Sequence, residues 1–236
     1  MRLLKRLAAQ LPSRWQSELK RIHFGRQIRR GAFETSEPEY ALLPQFITAG
    51  DWVVDIGANV GHYTKRLSEL VGAHGRVIAF EPVPTTFSLL AANVQLFAHP
   101  NVTLINAAVS SKSEVVGMSI PQFSTGLSNY YEAHLSSAVE GALSVLTLSL
   151  DSLCLSQRIA LVKIDAEGHE SFVLSGMKKL LESDHPILIV ETNSDQVVAD
   201  LSSLGYQAER LPDSPNILFK PSRKWFSRSS LRSEEM

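Results

Sequence analysis

From residue 51 onward the apolar positions alternate between short continuous runs and helical spacings. "DWVVDI" is a run that predicts a buried strand, and Val60 to Leu70 follows with Val60, Tyr63, Leu67 and Leu70 in helical step. "RVIAFE" predicts the next strand, and Pro84 to Phe97 a helix whose apolar face holds Phe87, Leu90, Ala91, Val94 and Phe97. "NVTLINAAV" predicts a third strand, "ALVKID" a fourth and "PILIVE" a fifth. Between the last two, Glu170 to Leu181 predicts one helix lined by Phe172, Val173, Met177, Leu180 and Leu181. A final helix runs through Val197, Val198, Leu201 and Leu204 and stops at Gly205; "YQAERL" and "NILFK" then predict a closing hairpin. Residues 113–150 break this rhythm with β-like pieces, "EVVGMSI" and "ALSVLTLSL", around a polar loop.

Strand–helix alternation with short connections predicts an α/β fold: a mostly parallel sheet with helices on both faces. Ligands of such sheets bind outside the carboxyl ends of the strands. Four acids fall at those ends: Asp55, Glu81, Asp165 and Glu191. The first strand also runs into Gly57-Ala58-Asn59-Val60-Gly61. That loop lacks the Gly-x-Gly pair a pyrophosphate site uses, and Asp55 would repel phosphates. S-adenosylmethionine carries an ammonium and a sulfonium and suits an acidic rim. Glu81 is placed to accept hydrogen bonds from ribose hydroxyls, a role it would share with a dinucleotide site. In the fourth strand Lys163 and Asp165 point to one side. A buried lysine needs such a carboxylate to keep its proton.

Charge adds an asymmetry that the formal net charge of −1 hides. Residues 1–31 hold nine Lys/Arg against Glu18, and residues 220–236 hold five against two acids. The remaining stretch, 32–219, has nine basic and 21 acidic residues, a net of −12, which argues against nucleic acid as a partner. In the basic arm, Ser13 and Gln16 fit a capping box, and Trp15, Leu19 and Ile22 fall on one helix face. Leu3, Leu4, Leu7 and Leu11 make a second short amphipathic segment before Pro12. The arm either packs on the main domain or rests on an anionic membrane. No apolar run is long enough to span a bilayer, and no signal peptide is read in the N-terminal residues. Cys154 is the single cysteine, which points to a reducing compartment. The expected location is cytoplasmic, with a peripheral stay at the inner membrane face as the variant.

The pieces "VVDIGANVGHYT", "VIAFEPVPTTFSLLAANV", "NAAVS", "LTLSLDSL", "LVKIDAEGHESFVLSGM", "ILIVET" and "LGYQAERL" together resemble the FkbM family of S-adenosylmethionine-dependent methyltransferases. The likeness spans about residues 38–211. It implies a class I methyltransferase (Rossmann-like) fold and methyl transfer to a hydroxyl of a sugar, glycan or natural product. It also implies cofactor roles for Asp55, Gly57, Asn59, Gly61 and Glu81, with Asn106 and Ala107 near the adenine. Asp165, Glu167 and Gly168 match the family's second motif; position 169 is not fixed in it. The organisation expected is a basic helical arm over 1–37, a methyltransferase domain over 38–219 and a basic tail over 220–236. The β-rich insert 113–150 would cover the acceptor, with Tyr130, Tyr131 and His134 facing it.

A hydroxyl must lose its proton as it accepts a methyl group. Asp165, Glu167, His169 and His62 are the candidate bases, with Asp165, Glu167 and His169 in the catalytic set. A Mg²⁺ ion held by Asp165, Glu167 and Glu191 is another route, less favoured because no dedicated ligand spacing is visible. A non-catalytic cofactor-binding module on the same fold, or a nucleotide-dependent oxidoreductase, are the alternative functions. Oligomeric state is open.

Overall fold

The computed structural model describes residues 12–121, 134–136 and 143–222. Helix α1 (Ser13–Arg29) leads through Gly31 to the short helix α2 (Pro38–Leu42). Then come β1 (Trp52–Ile56), α3 (His62–Val71), β2 (Arg76–Phe80), α4 (Pro84–Val94) and β3 (Val102–Ile105). Strands β4 (Ala108–Val109), β5 (Glu114–Ser119), β6 (His134–Ser136) and β7 (Leu143–Leu148) follow. Next are β8 (Ile159–Ile164), α5 (Glu170–Ser175), α6 (Lys178–Asp184), β9 (Ile187–Glu191) and α7 (Asp195–Ser203). The hairpin β10 (Tyr206–Arg210) and β11 (Asn216–Pro221) closes the sheet.

The main sheet has seven strands in the order β10-β11-β9-β8-β1-β2-β3. All neighbours are parallel except β11, which runs antiparallel to both β9 and β10. The chain winds outward from β1 in one direction and from β8 in the other, so the switch point lies between those strands. Both faces are covered, which is why β1 reads as an unbroken apolar run. Its Val53 packs with Tyr63, Leu67 and Leu161 on one side, while Val54 and Ile56 pack with Val162, Ile164 and Val173 on the other. Each large side chain fully buried in this way contributes about 1.5–3 kcal/mol.

The 113–150 segment does not join this sheet. Strands β5, β6 and β7 form a second, four-stranded sheet with β4, in the order β4-β7-β5-β6. Its own core is Val83, Met118 and Val145.

Four sequence expectations change. The third strand is cut in two, because Asn106 turns back and donates its amide to the carbonyls of Glu81 (2.8 Å) and Pro82 (3.1 Å). After that turn, Ala108–Val109 pairs with β7 instead. The helix expected over 170–181 is broken into α5 and α6 at Gly176, where any Cβ would lie 2.0 Å from the Ser110 carbonyl oxygen. The capping box does not form: Pro12 takes the cap position of α1 with no side-chain cap, so Ser13 falls inside the first turn. The helix after the glycine loop starts at His62 rather than Val60. Residues 1–11, Tyr130, Tyr131 and 223–236 lie outside the described residues.

Across the switch point Asp55 is paired in register with Lys163. Lys163 is 3% exposed, donates to Asp165 Oδ2 at 3.0 Å and lies 4.7 Å over the Tyr63 ring. Burial would strip its proton, but the Asp165 and Asp55 carboxylates more than offset that and hold its pKa above the ordinary value. Lys163→Ala leaves Asp55 buried without a cation and is expected to cost ~3–5 kcal/mol in denaturant unfolding. A loss below about 1 kcal/mol would show that the cation does not hold these strands together.

Candidate functional site

Loops at the carboxyl ends of β1, β2 and β8 surround a cleft. The loop after β1 supplies Gly57 and Asn59, and the end of β2 supplies Glu81, Pro82 and Val83. The turn after β8 brings Asp165, Ala166, Glu167 and His169. Ala107 to Val109 form the third side, and the second sheet contributes Met118, His134 and Leu135. Three residues of the β-rich insert thus line part of the cleft.

Local chemistry explains how each loop gets there. The amides of Gly57 and Ala58 both donate to the Phe80 carbonyl, at 3.0 and 2.9 Å, which ties the β1 loop to β2. Gly57 also abuts the β8 loop so closely that a Cβ would sit 2.0 Å from the Asp165 carbonyl oxygen, and its φ is +76°. Only glycine meets both conditions. On the far side, Glu167 and Gly168 both take positive φ, +46° and +87°. The turn is held by His169 N–H donating to the Ala166 carbonyl (3.1 Å) and Gly168 N–H donating to Glu170 Oε1 (2.8 Å).

Glu81 is 5% exposed yet lines the cleft. One carboxylate oxygen accepts the Asn59 amide at 3.0 Å, and the other accepts the Val83 amide at 2.8 Å. Each oxygen keeps a lone pair for a further donor. Burial pushes its pKa up to about 7, against the pull of those two amides, and the nearby Asp165 and Asp55 add to the rise. The group is poised to become a strong acceptor when hydroxyl donors arrive.

His169 lines the opposite part of the cleft. Its Nε2 lies 2.9 Å from Ser110 Oγ, and its ring stacks on Phe172 at 4.5 Å. Burial lowers its pKa below the ordinary histidine value, which keeps it neutral at pH 7. When Nε2–H donates to Ser110, Nδ1 carries the lone pair. Ser110 closes the "NAAVS" piece, but its pairing with His169, 59 residues away, is a feature that only the fold reveals.

Several sequence candidates stand elsewhere. Asp55 is 0% exposed and lies beneath the loop, where Thr64 donates to its Oδ2 at 2.6 Å. Burial raises its pKa, with Lys163 and Thr64 opposing the rise. It shapes the loop rather than touching the cleft. Gly61 caps α3 and Asn106 braces the Glu81–Pro82 backbone; neither lines the cleft, whereas Gly57, Asn59, Glu81 and Ala107 do. His62 is stacked on Phe33 at 4.1 Å inside an aromatic cluster and lies outside the cleft lining. Glu191 is half-buried outside the cleft lining, and burial raises its pKa. Among the described residues no group of three or more His, Cys, Asp or Glu is arranged to hold a metal ion.

Comparison with known proteins gives this arrangement a context. Over 171 residues the chain is 28% identical to the hexuronic acid methyltransferase AglP of Haloferax volcanii, covering 71% of this chain and 66% of that protein. It thus spans just under two thirds of that curated relative. The crystal structure of Methyltransferase FkbM from Methylobacillus flagellatus KT superposes with a TM-score of 0.53 at 15% identity, over 72% of this chain and 43% of that one. The likeness establishes the shared class I methyltransferase fold. Residues 55–208, well over half of the chain, match the methyltransferase FkbM domain. The chain belongs to the FkbM methyltransferase domain family.

Proposed function

We propose that this protein is an S-adenosylmethionine-dependent O-methyltransferase whose acceptor is a hydroxyl on a sugar. One observation carries the reading: a buried Glu81 with two free lone pairs faces, across one cleft, the Asp165–Glu167–His169 turn. The donor set fits the methyl donor. A carboxylate with spare acceptor capacity suits ribose hydroxyls, the small Gly57 and Ala107 leave room for a flat base, and the acidic rim suits a cation. When bound, S-adenosylmethionine supplies an electrophilic methyl group, and its sulfur leaves as a neutral thioether. The sugar acceptor is supported by the hexuronic acid methyltransferase among the relatives.

The chain's own residues then have three tasks. Glu81 and the β1 loop fix the donor. His134 and Leu135 with Met118 flank the acceptor side and keep water from the cleft. His169 takes the hydroxyl proton on Nδ1 as the C–O bond forms, held in orientation by Ser110 and Phe172. Asp165 and Glu167 hold the acceptor by accepting from its other hydroxyls.

Calorimetry with S-adenosylhomocysteine is expected to show binding that Glu81→Ala abolishes in a protein that still unfolds cooperatively. No binding by the folded wild type would end the proposal.

The raised pKa of Glu81 gives a signed pH dependence. Hydroxyl donors bind the ionised form, so affinity rises as pH climbs through about 7 and flattens above it. In the ligand-free protein the sign is opposite. Below the ordinary value of 4.5 Glu81 is protonated in folded and unfolded chains alike; as pH rises toward 7 only the unfolded carboxylate ionises freely, so stability is lost over that window. Glu81→Gln is expected to remove both trends, read by calorimetry and by thermal unfolding at several pH values. Trends unchanged in the variant would assign them to another group.

His169→Gln is expected to reduce turnover about 10²–10⁴-fold while leaving S-adenosylhomocysteine affinity unchanged. The wild-type rate is expected to fall on the acid side with a midpoint below the usual histidine pKa. If instead Asp165→Asn or Glu167→Gln removes that acid limb and His169→Gln keeps it, the base is a carboxylate.

A further inference from the structure

Helix α1 has two apolar stripes, and only one is covered. Phe24 and Ile28 pack with Phe33, Val60 and Leu89. On the opposite side Trp15, Leu19 and Ile22, spaced i, i+4 and i+7, are 52%, 48% and 40% exposed. Arg26 extends this line by one more turn, and Arg29 and Arg30 border it, all three exposed. Residues 13–30 hold six Lys/Arg against the single acid Glu18, and Arg21 binds that acid at 2.8 Å. Alongside, a groove between α1 and α4 is lined by Arg21, Arg26 and Arg29, with Ile22 and Leu96 among its apolar walls.

We propose that this outward face of α1 docks on an anionic phospholipid bilayer. A narrow apolar stripe edged by arginines matches the boundary between acyl chains and charged headgroups, and a tryptophan at its end is suited to that boundary. The groove beside the stripe is lined by three guanidinium-bearing side chains, a chemistry suited to a headgroup phosphate. The charge of the molecule sets the direction of approach. Residues 32–219 carry a net −12, so an anionic surface repels the body and attracts the arm. No helix among the described residues is long and apolar enough to cross a membrane, so the contact is one of lying on the surface.

The geometry also leaves the cleft accessible. Ile28 packs near Leu89, while a Cβ on Gly25 would lie 3.4 Å from Leu96 Cδ1, so α1 and α4 run antiparallel. Because α4 starts at the cleft end of the sheet, Trp15 and Leu19 extend toward the other end.

The test uses the full chain and sedimentation with vesicles. Vesicles of equal parts phosphatidylcholine and phosphatidylglycerol are expected to carry the protein down at low salt. Phosphatidylcholine alone, or the mixed vesicles at high salt, should not. The triple variant Trp15→Ser, Leu19→Ser, Ile22→Ser is expected to weaken binding at least tenfold. The double variant Arg26→Gln, Arg29→Gln should lose about fivefold per charge. Both variants alter exposed side chains, so their melting temperature and S-adenosylhomocysteine affinity should match the wild type. Failure of the wild type to sediment with mixed vesicles at low salt overturns the proposal, as does binding that neither variant weakens. A wild-type dimer that the triple variant dissociates, without vesicle binding, would assign the face to a second copy of the chain.

Discussion

A single ammonium group at the switch point organises much of this molecule. Lys163 sits between Asp55 on β1 and Asp165 at the end of β8, beneath the ring of Tyr63. The Tyr63 hydroxyl lies within hydrogen-bond distance of the Glu37 and Glu39 carboxylates, and Glu39 in turn accepts from Ser214 and Asn216 at β11. One connected network thus joins the segment after α1, both central strands and the C-terminal hairpin. Burying an ion costs several kcal/mol, and attraction at about 4 Å returns about 4 kcal/mol in a protein-like dielectric. These magnitudes nearly cancel. The network therefore contributes little net stability as a whole, although removing one member exposes the cost of the rest. What it supplies is position: it holds Asp165 at the mouth of the cleft with 27% of its side chain still accessible.

That position shapes the site's electrostatics. Burial raises the pKa of both Glu81 and Glu191, and the Asp165 charge adds to both rises. Lys163 is already engaged with Asp55 and Asp165, so the carboxylates around the cleft are under-compensated. A ligand that brings a positive charge relieves this repulsion, and one that brings hydroxyl donors stabilises Glu81 in its charged form. The same close approach of loops that creates the repulsion also forbids any side chain at Gly57. Backbone sterics and charge therefore act on the same few ångströms.

The sheet was legible because doubly covered parallel strands leave continuous apolar runs, and each strand of the main sheet was found at its predicted place in the chain. The acids of the rim were legible as a group, since strand ends share one edge. Their individual depth was not. Asp55 lies within β1 opposite Ala79, whereas Glu81 follows Phe80, the last paired residue of β2, so one is sealed under the loop and the other lines the cleft. The difference comes from a register that apolar spacing does not fix. The same holds for the break at Gly176 and the departure of Ala108–Val109 to the second sheet. Local periodicity continues through both points, and tertiary contacts with Ser110 and Asn106 override it. The Ser110–His169 pair was illegible for the same reason.

The arm illustrates how a two-way choice in sequence can dissolve in three dimensions. Packing on the domain and presenting an apolar face outward looked exclusive, because both needed the apolar residues of one helix. A helix of 17 residues has room for two stripes on opposite sides, and α1 uses Phe24 and Ile28 for one and Trp15, Leu19 and Ile22 for the other. From Trp15 to Ile28 the helix rises roughly 20 Å, more than twice the ~8 Å screening length at physiological ionic strength. Arg14 beside Trp15 is therefore screened from the Ile28 end of the helix. Arg26, Arg29 and Arg30 flank Ile28 instead, so the two ends of α1 stand in different electrostatic surroundings.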